Sequence, residues 1–156
     1  MTLFSGKGIV SRGFPIALSP PGVPYIMGTS RIPARREVPM IVLKDVLALL
    51  EGELLTPACP LETAFQKVFA SDLMSDVLTS AEPGSLLLTG LSNTHVVRTC
   101  SVADLAAVVF VQGKRPAAEV VDQARSENLP LIVTKMPMFE ACFRIAGLVE
   151  DGKRGR

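Results

Sequence analysis

The residues able to do chemistry concentrate in four short polar clusters: Ser71-Asp72, Thr89-Gly90-Leu91-Ser92-Asn93, Gln112-Gly113-Lys114-Arg115 and Thr134-Lys135. Each combines a hydroxyl, amide or charged group with a place for the chain to turn, and two carry cations. Lys114, Arg115 and Lys135 suit a phosphate or carboxylate, since ammonium and guanidinium groups make strong charge-assisted hydrogen bonds to such anions. Gly90 and Gly113 let the backbone approach closely, and a helix starting after each cluster would add free N–H groups and the positive end of its dipole. The expected chemistry is recognition of a small anion. The same residue types also have plainer duties, with Gly90 and Gly113 turning the chain and Asn93 and Thr134 capping helices.

Catalysis finds less support. His95 is the only histidine and has no recognisable serine or cysteine nucleophile beside it. Asp72 and Asp76 stand four residues apart, a spacing that would let them share a metal or a proton, but acids near a helix start also simply complement the dipole. Cys59, Cys100 and Cys142 are widely spaced and form no CxxC or Cys/His cluster, so neither a disulfide framework nor a zinc site is expected. The run from Gly147 to Lys153 has the spacing of a phosphate-binding loop but lacks the hydroxyl residue after the lysine and a preceding strand. Ser5-Gly6-Lys7-Gly8 is weaker still. The reading is a non-catalytic domain with no metal and no cofactor.

What must position the four clusters is a set of apolar segments. Leu86–Thr89, Ala107–Val111 and Leu131–Thr134 are short continuous apolar runs, as expected of strands covered on both faces. Glu53–Thr56 and Phe65–Ala70 are weaker strand candidates. Between them lie helical patterns. Leu43, Val46, Leu47 and Leu50 make an amphipathic stripe ended by Gly52. Ser71 or Asp72 caps a helix whose Leu73, Met74, Val77 and Leu78 face inward, and Glu82-Pro83-Gly84 stops it. Asn93 and Thr94 open a short helix through Val97, while Pro116 begins one with Val120, Val121 and Ala124 inside, ended by Asn128 and Pro130. Pro137 opens the last helix, with Met138, Ala141, Ile145 and Leu148 on one face and Glu140 paired with Arg144. Strands alternating with helices give right-handed βαβ units, and so an α/β three-layer sandwich with a mostly parallel central sheet.

Composition sets the boundaries. The chain has 156 residues, enough for one domain of ordinary size, and with no tryptophan its core must be largely aliphatic. A net charge of +1 argues against a nucleic-acid partner held by phosphate neutralisation. No run approaches a membrane span, and prolines interrupt the apolar residues at the N-terminus, so no secretory signal is expected. Unpaired cysteines fit a reducing, cytoplasmic setting. Residues 1–39 form a basic, proline- and glycine-rich arm or extension, residues 40–149 the α/β domain, and residues 150–156 a charged tail.

The run Ala70–Leu78, followed by Leu87–Leu91, Val109–Pro116 and Thr134–Ala141, resembles the DRTGG domain family in order and spacing, over roughly Met40 to Leu148. Where the motif behind the family name would stand, this chain has Ser71-Asp72-Leu73-Met74-Ser75. Such domains are similar to the N-terminal domain of HPr kinase/phosphorylase, and occur in phosphotransacetylases, between CBS domains of regulated pyrophosphatases, and alone. The resemblance implies an α/β sandwich forming a homodimer, with a regulatory role that involves adenine nucleotides in the CBS-linked members. Stand-alone members are often encoded near iron-only hydrogenase subunits, and the alternative role is a homodimerising interaction or assembly domain for an enzyme complex.

Overall fold

A computed structural model describes residues 40–154; the expected N-terminal arm lies outside them. In chain order the elements are β1 (Ile41–Val42), α1 (Leu43–Leu49), β2 (Glu53–Leu54), β3 (Ala64–Phe65), β4 (Val68–Ala70), α2 (Met74–Ser80), β5 (Leu86–Thr89), α3 (Thr94–Val102), β6 (Ala107–Phe110), α4 (Ala118–Ser126), β7 (Leu131–Val133) and α5 (Met138–Arg154). The main sheet runs β2-β7-β6-β5-β4, with β2 antiparallel to β7 and every other pair parallel.

The three apolar runs are the centre of this sheet. Every residue of β5, β6 and β7 is buried, and their side chains alternate between two cores, as the two-residue period of a strand requires. Leu86, Leu88, Ala107, Val109 and Ile132 meet Val46 of α1, Leu50 just after it, and Ala141 and Ile145 of α5. Leu87, Val108, Phe110, Leu131 and Val133 meet Val77, Val96, Cys100, Val120 and Ala124 from α2, α3 and α4. The division follows from connectivity. Strands β4 to β7 are laid down consecutively in one direction, so crossovers of one hand put all three connecting helices on one face. The helices before and after this series cover the other face. The result is the three-layer α/β sandwich with a mostly parallel sheet.

Several elements differ from the sequence expectation. The stretch Phe65–Ala70 is two strands: β3 pairs antiparallel with β1, and β4 joins the main sheet. Phe65 belongs to the core under α1 and α5, whereas Phe69 packs on the opposite one, so the chain changes sheets between them. Leu73, which precedes α2, and Leu78 within it are 57% and 49% exposed instead of facing inward. The helix lies at the β4 end of the sheet and packs beside α3, where only Val77 is fully covered. Neither Ser71 nor Asp72 caps α2, whose N-cap position is Leu73 with no side-chain hydrogen bond. Helix α3 runs on to Val102, and α4 begins at Ala118, two residues after Pro116. Helix α5 continues to Arg154, through the first part of the charged tail.

The end of α1 has its own logic. Glu51, at φ 48°, takes the left-handed conformation, and Gly52 N–H donates to Leu47 O at 2.9 Å, the wrap-around bond that closes many helices. Gly52 is required for space: a Cβ there would meet Ile132 Cγ2 at 2.6 Å. Arg144 of α5 then donates to Leu49 O at 3.2 Å and to Glu140 at 2.6 Å, placing a cation over the carbonyl end of α1. Among the described residues no helix is long and apolar enough to cross a membrane.

Candidate functional site

The carboxyl ends of β4, β5, β6 and β7 lie side by side, so the four polar clusters leave the sheet along one edge. They form two groups, joined at Lys114.

Asp72 organises the first group. Its Oδ1 accepts from Thr89 Oγ1 at 3.0 Å and from Gly90 N at 2.6 Å, tying the β4 exit to the β5 exit. Thr89 Oγ1 in turn accepts from Leu91 N at 3.1 Å, which folds the chain sharply away from the strand. Asp72 Oδ2 and Lys114 Nζ each lie 3.2 Å from the point a Cβ on Gly90 would occupy. The missing side chain at Gly90 is what lets an acid and an ammonium group converge over the backbone. The flanking members of these clusters serve local turns. Ser71 Oγ accepts from Leu73 N at 3.0 Å, and Asn93 Oδ1 caps α3 by accepting from His95 N at 3.1 Å.

The second group is built on a tight turn after β6. Gln112 (φ 62°) and Gly113 (φ 67°) are both left-handed, and Lys114 N donates back to Val111 O at 3.2 Å. A side chain in the left-handed region costs about 1 kcal/mol and persists only where neighbours hold it. Here the loop after β7 does so: Gln112 N donates to Met136 O at 2.8 Å and Gly113 N to Thr134 O at 2.7 Å. Thr134 is buried, and its hydroxyl donates to Leu50 O at 2.6 Å and accepts from Met136 N at 3.2 Å. Its side chain holds the β7 exit to the end of α1.

Around this turn lies a cavity of about 370 Å³ lined by Gly113, Arg115, Thr134 and Lys135 with Leu50, Glu51, Glu53, Val133 and Met136. A second cavity of about 500 Å³ lies between β2 and the start of α4, lined by Leu54, Leu55, Pro57, Pro116, Ala118 and Val121, with Asp122 and Arg125. Glu53 and Arg115 line both cavities and form an ion pair. Lys114 and Lys135 are exposed and in no ion pair among the described residues. Chemically the edge offers the ammonium of Lys135, the ammonium of Lys114 near the Asp72 carboxylate, and one guanidinium held by an exposed carboxylate, with Glu51 in the same wall.

The sequence reading missed Glu51, Glu53, Pro57, Ala118 and Val121 as wall residues. Nothing in their own neighbourhood signals it: Glu51, Glu53 and Pro57 come to the site through the antiparallel pairing of β2 with β7, Glu53 opposite Val133, and Ala118 and Val121 because α4 packs beside that edge strand. The thiols lie elsewhere. Burial, and then the charge of Glu127, pushes the Cys100 thiol up to about 12, and burial likewise raises Cys142. Among the described residues no group of three or more His, Cys, Asp or Glu side chains is placed to hold a metal ion.

No protein-family model and no curated protein matches this chain. Among solved structures, the fold is similar to the CBS and DRTGG domains of the regulatory region of Clostridium perfringens pyrophosphatase, complexed with the activator diadenosine tetraphosphate. The TM-score is 0.59 at 18% identity, and the match covers 67% of this chain. It spans 45% of the neighbour's length. At that identity the likeness establishes a related fold.

Proposed function

We propose that this is a non-catalytic regulatory domain that binds a small anionic ligand, an adenine nucleotide, at the carboxyl ends of the parallel strands. The carrying observation is that Arg115 and Lys135 line one cavity at the interlocked β6 and β7 exits, with Lys114 on the same turn and its ammonium near Gly90; Lys114 and Lys135 form no ion pair among the described residues. Phosphate oxygens supply what those groups lack. The neighbour of similar fold, a regulatory region complexed with a dinucleoside polyphosphate, supports the choice of ligand class. A DRTGG-type domain working in the cytoplasm belongs to this reading.

Thermal unfolding with millimolar ATP, ADP or AMP tests it. A ligand that binds only the folded state raises Tm by mass action. The reading predicts a rise that is lost in Lys114→Ala/Lys135→Ala; no rise with any of the three nucleotides contradicts it.

A second reading is favoured by a separate observation. Phe139 and Phe143, one turn apart on α5, are 82% and 72% exposed. Large contiguous exposed apolar patches mark interaction surfaces. On this reading the domain assembles, as a homodimer or on an enzyme complex of the hydrogenase type. Light scattering on wild type and on Phe139→Ser/Phe143→Ser tests the homodimer: a dimer that dissociates in the double variant supports it, and a strict monomer removes it.

A further inference from the structure

Helix α5 carries a glycine that its own fold does not explain. Gly147 lies in the interior of the helix, where glycine is a poor helix former. A Cβ built on it meets nothing within 4 Å, so packing inside this chain does not demand it. Glycine is otherwise used where a second backbone or ligand comes close. The exposed residues of α5 up to this point are Phe139, Phe143, Ala146 and Gly147, spaced to share one face, and none is charged. Glu140 and Arg144 are drawn aside, bonded to each other while Arg144 reaches Leu49 O and Glu51 at the end of α1. The other outer helices present charge to water: Lys44 and Asp45 in α1, Arg98 in α3, and Glu119, Asp122 and Arg125 in α4.

Resting on the assembly reading above, we infer that the occupant of this face is a second copy of the chain, with α5 antiparallel to its copy about a two-fold axis at Phe143. That register sets Phe139 of one copy against the partner's Gly147, and the symmetry makes the contact twice. The absent side chain at Gly147 is the recess that receives the ring, and Ala146 keeps its rim low. A two-fold axis brings each residue near it onto its own copy. A charge there would meet a like charge, and this face has none. The two exposed rings offer on the order of 300 Å² per copy. A standard interface buries roughly 800 Å² per partner, so the dimer is a weak, reversible one in the micromolar range.

Sedimentation velocity of the full chain across the micromolar range tests this, with the melting temperature of each variant as the check on folding. Wild type is expected to dimerise. Gly147→Leu adds apolar surface in open space and improves helix propensity, so its Tm stays level or rises. The inference predicts that it nevertheless weakens the dimer at least about tenfold, because the new side chain meets the partner's Phe139. Phe139→Ala weakens the dimer for lack of the ring. The exchange variant Phe139→Ala/Gly147→Phe swaps projection and recess, and is expected to recover to within about threefold of wild type. A dimer of equal or greater affinity in Gly147→Leu, or an exchange variant no tighter than Phe139→Ala, overturns the paired-helix register. If Phe139→Ser/Phe143→Ser still dissociates that dimer, the homodimer reading stands without it. A wild type that is monomeric throughout overturns both the inference and the homodimer reading on which it rests.

Discussion

Asp72 Oδ1 accepts a 2.6 Å hydrogen bond from the backbone N–H of Gly90, so a carboxylate after β4 fixes the path of the chain after β5. The same oxygen accepts from Thr89 Oγ1, while Oδ2 and the ammonium group of Lys114 each lie 3.2 Å from where a Cβ on Gly90 would be. Asp72→Ala removes both bonds and strands the buried Thr89 hydroxyl, at a cost of about 1–2 kcal/mol. Urea unfolding gives this as a lower midpoint at unchanged slope; an unaltered midpoint would show that the clamp contributes nothing.

Gly90 carries the complementary prediction. An added Cβ lands 3.2 Å from both Asp72 Oδ2 and Lys114 Nζ, and these are side-chain ends able to move. Gly90→Ala is therefore expected to keep stability within about 1 kcal/mol while displacing Lys114 and weakening nucleotide binding severalfold. Parallel unfolding and titration experiments separate the two effects. A large stability loss with unchanged binding would contradict this account.

Thr134 is expected to be a structural residue despite lying in the cavity wall. Thr134→Val keeps the shape but leaves Leu50 O and Met136 N without the bonds that the hydroxyl made. The expected loss is about 1–3 kcal/mol, measured by denaturant unfolding. A Thr134→Val variant of full stability that binds no nucleotide would instead make the hydroxyl a ligand contact.

The thiol of Cys100 sets a pH dependence. Its folded value is pushed up to about 12 by burial first and the charge of Glu127 second. The unfolded thiol loses its proton near its ordinary value, so above that pH the folded state holds more protons than the unfolded one. Stability from this group is fully present below about pH 9 and falls as pH rises toward 12. Comparing unfolding midpoints of wild type and Cys100→Ala at pH 7 and pH 10 checks it: the alkaline drop should be smaller in the variant. An equal drop in both would remove Cys100 as its source.

The three central strands and their alternation with helices were legible in the sequence because each run is apolar throughout, the pattern of a strand buried on both faces. The Asn93 cap, the Asn128 turn (φ 54°) and the Glu140–Arg144 pair were legible too, each resting on residues close in sequence. What was not legible depends on distant partners. Leu73 and Leu78 read as core because periodicity reports one face of a helix and not whether a neighbour covers it. Asp72 read as a helix cap because its bonds to Thr89 and Gly90 span 17 and 18 residues. The four exits come together because of the sheet order, which places Lys114 beside Gly90 and Lys135 beside Gly113. No local pattern carries that order.

Calorimetric titration of ATP into wild type and into Lys114→Ala/Lys135→Ala tests the central claim most directly. The account predicts saturable binding by wild type, weakened at least about tenfold in the double variant by the loss of two charge-assisted contacts. ATP binding of undiminished affinity in the double variant, or no binding by wild type at millimolar ATP, would contradict it.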